Sequence, residues 1–163
     1  MLEEAENQST GTAVINEGKD VSGLAGKYLT FKLAGEEYGI EILKVKEIIG
    51  LMDITNVQRM PGYVRGVINL RGKVIPVINL RKKFGFYNSK ETDDSSRVII
   101  MDIKKVTYGL VVDSVSEVLR IPADIVEPPP PMASSMSSMF IKGIAKLENR
   151  LIILVDIDKI LEQ

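Results

Sequence analysis

The chain has 163 residues, 45% of them apolar, which is enough for one core or two very small ones. Lys and Arg total 21 against 22 Asp and Glu, a near-neutral balance that argues against a dedicated nucleic-acid binder. Neither Cys nor His occurs, which excludes disulfides, thiol nucleophiles, imidazole relays and the commonest metal ligands.

The opening Met1-Leu2-Glu3-Glu4 lacks the apolar stretch of a signal peptide, and the longest apolar run, residues 151–155, falls far short of the about 20 that a membrane-spanning helix needs. Residues 1–23 are acidic, lack apolar periodicity and read as a disordered tail, so one ordered domain is expected over 24–163. Residues 28–33 and 38–42 read as two strands joined by Ala34-Gly35-Glu36-Glu37. The stretch 43–49 fits either a helical turn or a third strand. Residues 64–69 and 73–78 are rich in β-branched side chains and flank Leu70-Arg71-Gly72, a hairpin turn in which Gly72 can take a positive φ. Asn79 can cap a short helix over 80–84, which Gly85 stops.

In the second half, strands are predicted over 97–103, 106–112 and 115–119. Four consecutive prolines in 127–139 read as a loop or polyproline spacer. Residues 142–147 and 150–155 form a predicted hairpin around Glu148-Asn149, and Asp156 can cap a last helix over 157–161.

These elements repeat. A shift of 70 lays residues 27–49 on 97–119, with Tyr38-Gly39 on Tyr108-Gly109, Val45 on Val115 and Glu47 on Glu117. A shift of 77 lays 64–84 on 141–161, with Gly66 on Gly143, Leu70 on Leu147, Ile75 on Ile152 and Lys82 on Lys159. The proline-rich segment absorbs the seven-residue difference. Each unit then holds roughly five short strands, and a sheet that small must curl to hide its edges and its bare apolar face. The duplication is also an internal control: positions alike in both copies serve the fold, and positions that differ are where function can be placed.

Glu37-Tyr38-Gly39-Ile40 with Val45-Lys46-Glu47-Ile48, followed by Gly66-Val67-Ile68-Asn69-Leu70-Arg71-Gly72 and Pro76-Val77-Ile78-Asn79-Leu80-Arg81, resembles the CheW family, the coupling proteins of bacterial chemotaxis. The resemblance runs over about 28–161. It departs at Asn79, where the family usually has Asp, and either residue can cap a helix. The resemblance implies an all-β fold of two tandem, internally duplicated five-stranded small barrels of the Src-homology-3 kind, over roughly 27–90 and 97–161. They would share a core, with short helices after each hairpin and at the C-terminus.

The resemblance also implies a non-catalytic adaptor without cofactor or metal, cytoplasmic and recruited to the inner face of the membrane through receptors. Its implied partners are the regulatory domain of the histidine kinase CheA and the cytoplasmic tip of methyl-accepting chemoreceptors, with no nucleic acid and no direct membrane insertion. The receptor's helical tip would lie in an apolar groove between the barrels. The same module forms the CheA regulatory domain, so a detached regulatory domain is the alternative. A small hydrolase built on paired carboxylates is a further one, although a helix start explains the pair Asp156 and Asp158.

Nine residues stand out as candidate partner contacts. Arg71 offers a guanidinium at a hairpin tip, suited to gripping carboxylates in pairs, or is a solvated turn residue. Its counterpart is Glu148, so the turn itself does not demand Arg. Glu47 is either a partner contact, as the resemblance suggests, or a structural residue, as its twin Glu117 suggests. Val45, Ile48, Val98, Val115 and Val118 either line the groove or fill the core. Gly66 and Gly143 are read as backbone requirements with indirect effects on partners. The basic run in 54–90, which includes Arg59, Arg65, Lys82 and Lys90, is read as a solvated or partner-facing surface, since strand alternation would scatter it over several faces.

Overall fold

β-branched and aromatic residues make strands of most of the described chain. The computed structural model describes residues 13–14, 26–86, 92–129 and 139–161. The first half carries β1 (Ala13–Val14), β2 (Lys27–Leu33), β3 (Glu36–Glu41), a 3-10 turn (Ile42–Lys44), β4 (Val45–Gly50), β5 (Val64–Leu70), β6 (Lys73–Asn79) and helix α1 (Leu80–Lys83). The second half carries β7 (Arg97–Ile103), β8 (Val106–Val112), β9 (Ser114–Arg120), a 3-10 turn (Ala123–Ile125), β10 (Val126–Glu127), β11 (Ile141–Leu147), β12 (Arg150–Val155) and helix α2 (Ile157–Leu161).

Both readings of 43–49 hold in part, since a 3-10 turn is followed by a strand. Glu36 and Glu37 belong to β3, because Ala34 and Gly35 alone make the turn, at φ 54° and 81°. The Asn79 side chain accepts from the Lys82 amide at 3.3 Å, and the Asp156 side chain accepts from the Lys159 amide at 3.3 Å. Gly85, at φ 83°, donates its amide to the Lys82 carbonyl at 3.1 Å and so ends α1. Within the segment read as a tail, Ala13–Val14 pairs with β4, opposite Ile48 and Glu47, so the disordered reading does not extend to these two residues. The rest of 1–23, Lys90 and most of the proline spacer lie outside the described residues. Among the described residues, no helix is long and apolar enough to cross a membrane.

The strands form two sheets, ordered β1-β4-β7-β8-β6-β5 and β10-β11-β12-β3-β2-β9. This corrects the barrel limits of 27–90 and 97–161, because each sheet draws strands from both copies. The reason is local. The 3-10 turn Ile42–Lys44 carries the chain from β3 in one sheet to β4 in the other, and Asp113 does the same between β8 and β9. The exchange is symmetric. Glu47 faces Ile100 and Val45 faces Met101, with a bulge between, while Glu117 faces Thr30 and Val115 faces Phe31 with a bulge at the same place. The parallel ladders match as well, with Val77 opposite Gly109 and Leu154 opposite Gly39.

Three apolar cores follow. One lies between the sheets and takes Leu29, Phe31, Ile40 and Ile78 from the first copy and Ile99, Leu110, Phe140 and Ile160 from the second. A second gathers Ile49, Ile68, Ile75, Val77, Val98 and Ile100 on one sheet. The third gathers Tyr28, Ile121, Ala145, Ile152 and Leu154 on the other. The second core runs along one face of that sheet, from Ile49 on β4 through Val98 and Ile100 on β7 to Ile75 and Val77 on β6 and Ile68 on β5. The duplicated units therefore share one core and each sheet carries a smaller one, an all-β fold of two sheets with short helices after β6 and β12.

Candidate functional site

The duplication places two matching polar clusters beside the hairpins β5–β6 and β11–β12. In the first, Glu47 on β4 is buried, at 3% exposure. The tip of the hairpin is Arg71-Gly72, both at positive φ (51° and 86°), closed by the Asn69 side chain accepting from the Gly72 amide at 2.9 Å. From this tip Arg71 Nη2 donates to Glu47 Oε2 at 2.5 Å. The second carboxylate oxygen, Oε1, is buried without a hydrogen-bond partner. Arg71 itself stays 63% exposed, so most of its N–H donors remain at the surface. Nearby, Lys73 Nζ donates to Thr107 Oγ1 at 3.1 Å.

In the second cluster, Glu117 takes the place of Glu47, Glu37 that of Thr107, Arg150 that of Lys73 and Glu148 that of Arg71. Arg150 binds two carboxylates at once. Its Nε and Nη2 donate to the two oxygens of Glu37, the first at 3.0 Å, and Nη1 donates to Glu117 Oε2 at 2.7 Å. Hydrogen bonds to Glu37 and then Glu117 hold its proton even more firmly than usual. The second cluster is thus closed by a strand residue that leaves the tip unused. The first is closed by the tip residue itself. This asymmetry marks the Arg71 side as the one that presents a cation outward.

The other candidates separate. Val45, Ile48 and Val98 are buried core residues, the first two in the shared core and the third inside one sheet. They line no open channel, because β4 and β7 turn them inward. Val115 and Val118 on β9 are half-buried and pack on the shared core from the edge of their sheet, which leaves them as the groove candidates. Gly66 and Gly143 are close-approach positions. A Cβ on Gly66, at φ 155°, would stand 2.3 Å from the Thr55 carbonyl oxygen, and one on Gly143 would stand 2.4 Å from a Val126 methyl. The main chain passes both because Thr55 bridges Val67 as Glu127 bridges Ile144.

The basic run has no single face. Arg81 pairs with Asp113, and Lys83 is buried with its Nζ 4.0 Å from the Tyr63 ring centre and 5.7 Å from that of Phe140. Burial pushes the Lys83 pKa down. Its counterpart Ile160 was the signal that this position faces the core. Asp156 caps α2 and Asp158 pairs with Lys44, so the carboxylate pair a hydrolase would use is divided between two structural tasks. The Arg150 cluster escaped sequence reading because Glu37 joins it only through the parallel ladder of β12 on β3.

The model of the CheW-like domain family matches residues 27–163. A chemotaxis protein CheW of Klebsiella aerogenes is 40% identical over 146 residues, covering 86% of this chain and 87% of that protein. Another, of Thermotoga maritima, is 36% identical over 138 residues, covering 83% and 87%. Among solved structures, the scaffolding protein TtCheW from Thermoanaerobacter tengcongensis superposes with a TM-score of 0.77 at 39% identity, covering 85% of this chain and 93% of that one.

Proposed function

Because the chain belongs to the CheW-like family, we propose that it is a non-catalytic adaptor of bacterial chemotaxis that couples chemoreceptors to the histidine kinase CheA. The observation that carries this reading is a family match that spans both sheets and every strand from β2 to β12. The adaptor works in the cytoplasm and reaches the membrane only through the receptors it holds. Its partners are the regulatory domain of CheA and the cytoplasmic tip of a methyl-accepting receptor.

Within this reading Arg71 is the polar fastener. Its guanidinium is exposed, tethered at one nitrogen and preorganised by Glu47, so a partner carboxylate can take the remaining donors with less ordering cost. Val115 and Val118 offer the apolar contact. Glu47, Gly66 and Gly143 act on partners through the hairpins they position.

The test is a binding measurement with a CheA regulatory domain and a receptor tip fragment, each alone and then together. Both are expected to be retained, singly and jointly. Lys substituted for Arg71 keeps the charge near Glu47 but loses the fork. It is expected to weaken at least one partner by roughly tenfold, about 1.4 kcal/mol. Retention of neither partner by the unaltered protein would overturn the adaptor reading, and unchanged binding of both by Arg71→Lys would overturn the role of Arg71.

A further inference from the structure

The two halves present matching sheet edges, and the chain treats them differently. β4 and β9 correspond, each with a bulge at the same place. The outer edge of β4 is taken by the chain's own β1, with Ala13 opposite Ile48 and Val14 opposite Glu47. Among the described residues, β9 pairs with β2 alone. The difference shows in burial: Val45, Glu47, Ile48 and Ile49 of β4 are buried, whereas no residue of β9 is. The hairpin tips differ as well. Against Glu47 of β4 stands Arg71, largely exposed and bound through one nitrogen. Lys73, two residues on, is exposed and donates to the Thr107 hydroxyl. The other tip carries Glu148, exposed, and the cation beside it, Arg150, is already held by Glu37 and Glu117.

The segment that β1 anchors at this place is acidic. Residues 1–12 carry Glu3, Glu4 and Glu6 and no Lys or Arg. Glu6 lies seven residues before Ala13, which allows a span of up to about 23–25 Å. Val14 is one strand spacing, about 5 Å, from Glu47, and the Glu47 side chain itself reaches Arg71. The chain is therefore long enough for any of the three carboxylates to meet the tip. We propose that residues 1–12 are a built-in competitor for the Arg71 tip. In the free protein a carboxylate of Glu3, Glu4 or Glu6 takes guanidinium donors that Glu47 leaves over, with Lys73 as the second cation, and a partner must displace it. This rests on Arg71 being the polar fastener and adds how that fastener is regulated. The choice of edge agrees with it. On β9 the same segment would meet Glu148 and a cation already satisfied, so its charge favours β4. Exposed ionic contacts are individually weak, but a tether this short supplies an effective concentration of the order of millimolar, which suffices for them.

The test uses the full chain in two measurements. The sequence has no cysteine, so Asn7→Cys gives a single thiol for a nitroxide label and leaves all three carboxylates in place. The label should broaden the NMR amide signals of Arg71 and Gly72 and spare those of Glu148 and Asn149. Glu3→Gln, Glu4→Gln and Glu6→Gln together, or salt raised to about 1 M, should abolish that difference. Without the label, the same triple variant should bind the partner that depends on Arg71 roughly two- to fivefold more tightly than the unaltered chain. Broadening at neither tip, or at both tips alike, would overturn the docking. So would broadening at Arg71 that survives the loss of the three carboxylates. An unchanged partner affinity in the triple variant would overturn the competition. The label measurement needs no partner, so it decides the docking even where neither the CheA domain nor the receptor tip is retained, a result that overturns the adaptor reading instead.

Discussion

Glu47 is a carboxylate kept almost out of water with one oxygen bonded and the other not. A buried carboxylate depends on its partner for its hydrogen bonding, and losing that partner costs more than the pair contributes. Arg71→Ala should therefore cost about 1–3 kcal/mol in urea unfolding, a value reduced from that of a fully buried pair because Arg71 is largely exposed. Adding Glu47→Gln should return part of that loss, and a neutral Arg71→Ala would remove Glu47 from the account. The counterpart Glu148 suggested that this turn would accept Glu at 71. It does not follow, because Arg71 sits at positive φ while Glu148 does not, and the new carboxylate would face Glu47. Tyr38 supplies a second test. It is buried between Phe31 and Phe84, and burial, with Glu36 nearby, pushes its pKa up to about 12. The folded state thus holds the phenolic proton above pH 10, where the unfolded chain releases it. That contribution is present below pH 10 and lost as pH rises towards 12, at about 1.4 kcal/mol per pH unit. Tyr38→Phe should match the unaltered protein near pH 7 and gain on it steadily from pH 10 to 12. A constant difference across that range would refute the assignment.

Strands were legible as β-branched and aromatic runs bounded by turn residues, whether buried on both flanks, as β7 is, or on one, as β5 and β11 are. The predicted limits 97–103, 106–112 and 157–161 coincide with β7, β8 and α2, and β5 and β11 bury the same positions in the same order. The two-residue strand β1 could not be read, since two residues carry no period. Nor could the roles of Gly66 and Gly143 be told apart, for in both the need is set by a segment distant in sequence. The structure separates them. On Gly66 a methyl would meet main chain at Thr55 and would have to hold a positive φ, and neither can yield. On Gly143 it would first meet the Val126 side chain, which can turn away, with the Glu127 carbonyl at 3.0 Å. Gly66→Ala should then destabilise by roughly 3 kcal/mol or more, and Gly143→Ala by distinctly less. Equal losses would mean that the β10 side of the molecule is as rigid as the Thr55 bridge.

At the scale of the molecule, sequence arithmetic found two copies and their shared core but placed the barrels along the chain. Apolar patterning says which face of a strand is buried and is silent on which strand lies beside it, so the exchange of strands between copies left no trace in periodicity. The consequence is testable. Among the described residues, the first half by itself pairs only β2 with β3, β5 with β6 and the short β1 with β4, and the second half only β7 with β8 and β11 with both β10 and β12. Neither half contains a complete sheet, and each lacks the opposite wall of the shared core. A protease site placed in residues 87–91 would cut the chain between the halves. Once cleaved, the two pieces should stay together on a native column and unfold in a single transition. Its midpoint should now rise with protein concentration, because folding has become an association and the tether's effective concentration is lost. Separated in denaturant and refolded alone, each piece should show no cooperative transition. Recombined, they should regain it. A half that melts cooperatively by itself, or two resolved transitions in the uncut chain, would mean that a barrel can close on strands of one copy, against the ladders that join β2 to β9 and β4 to β7.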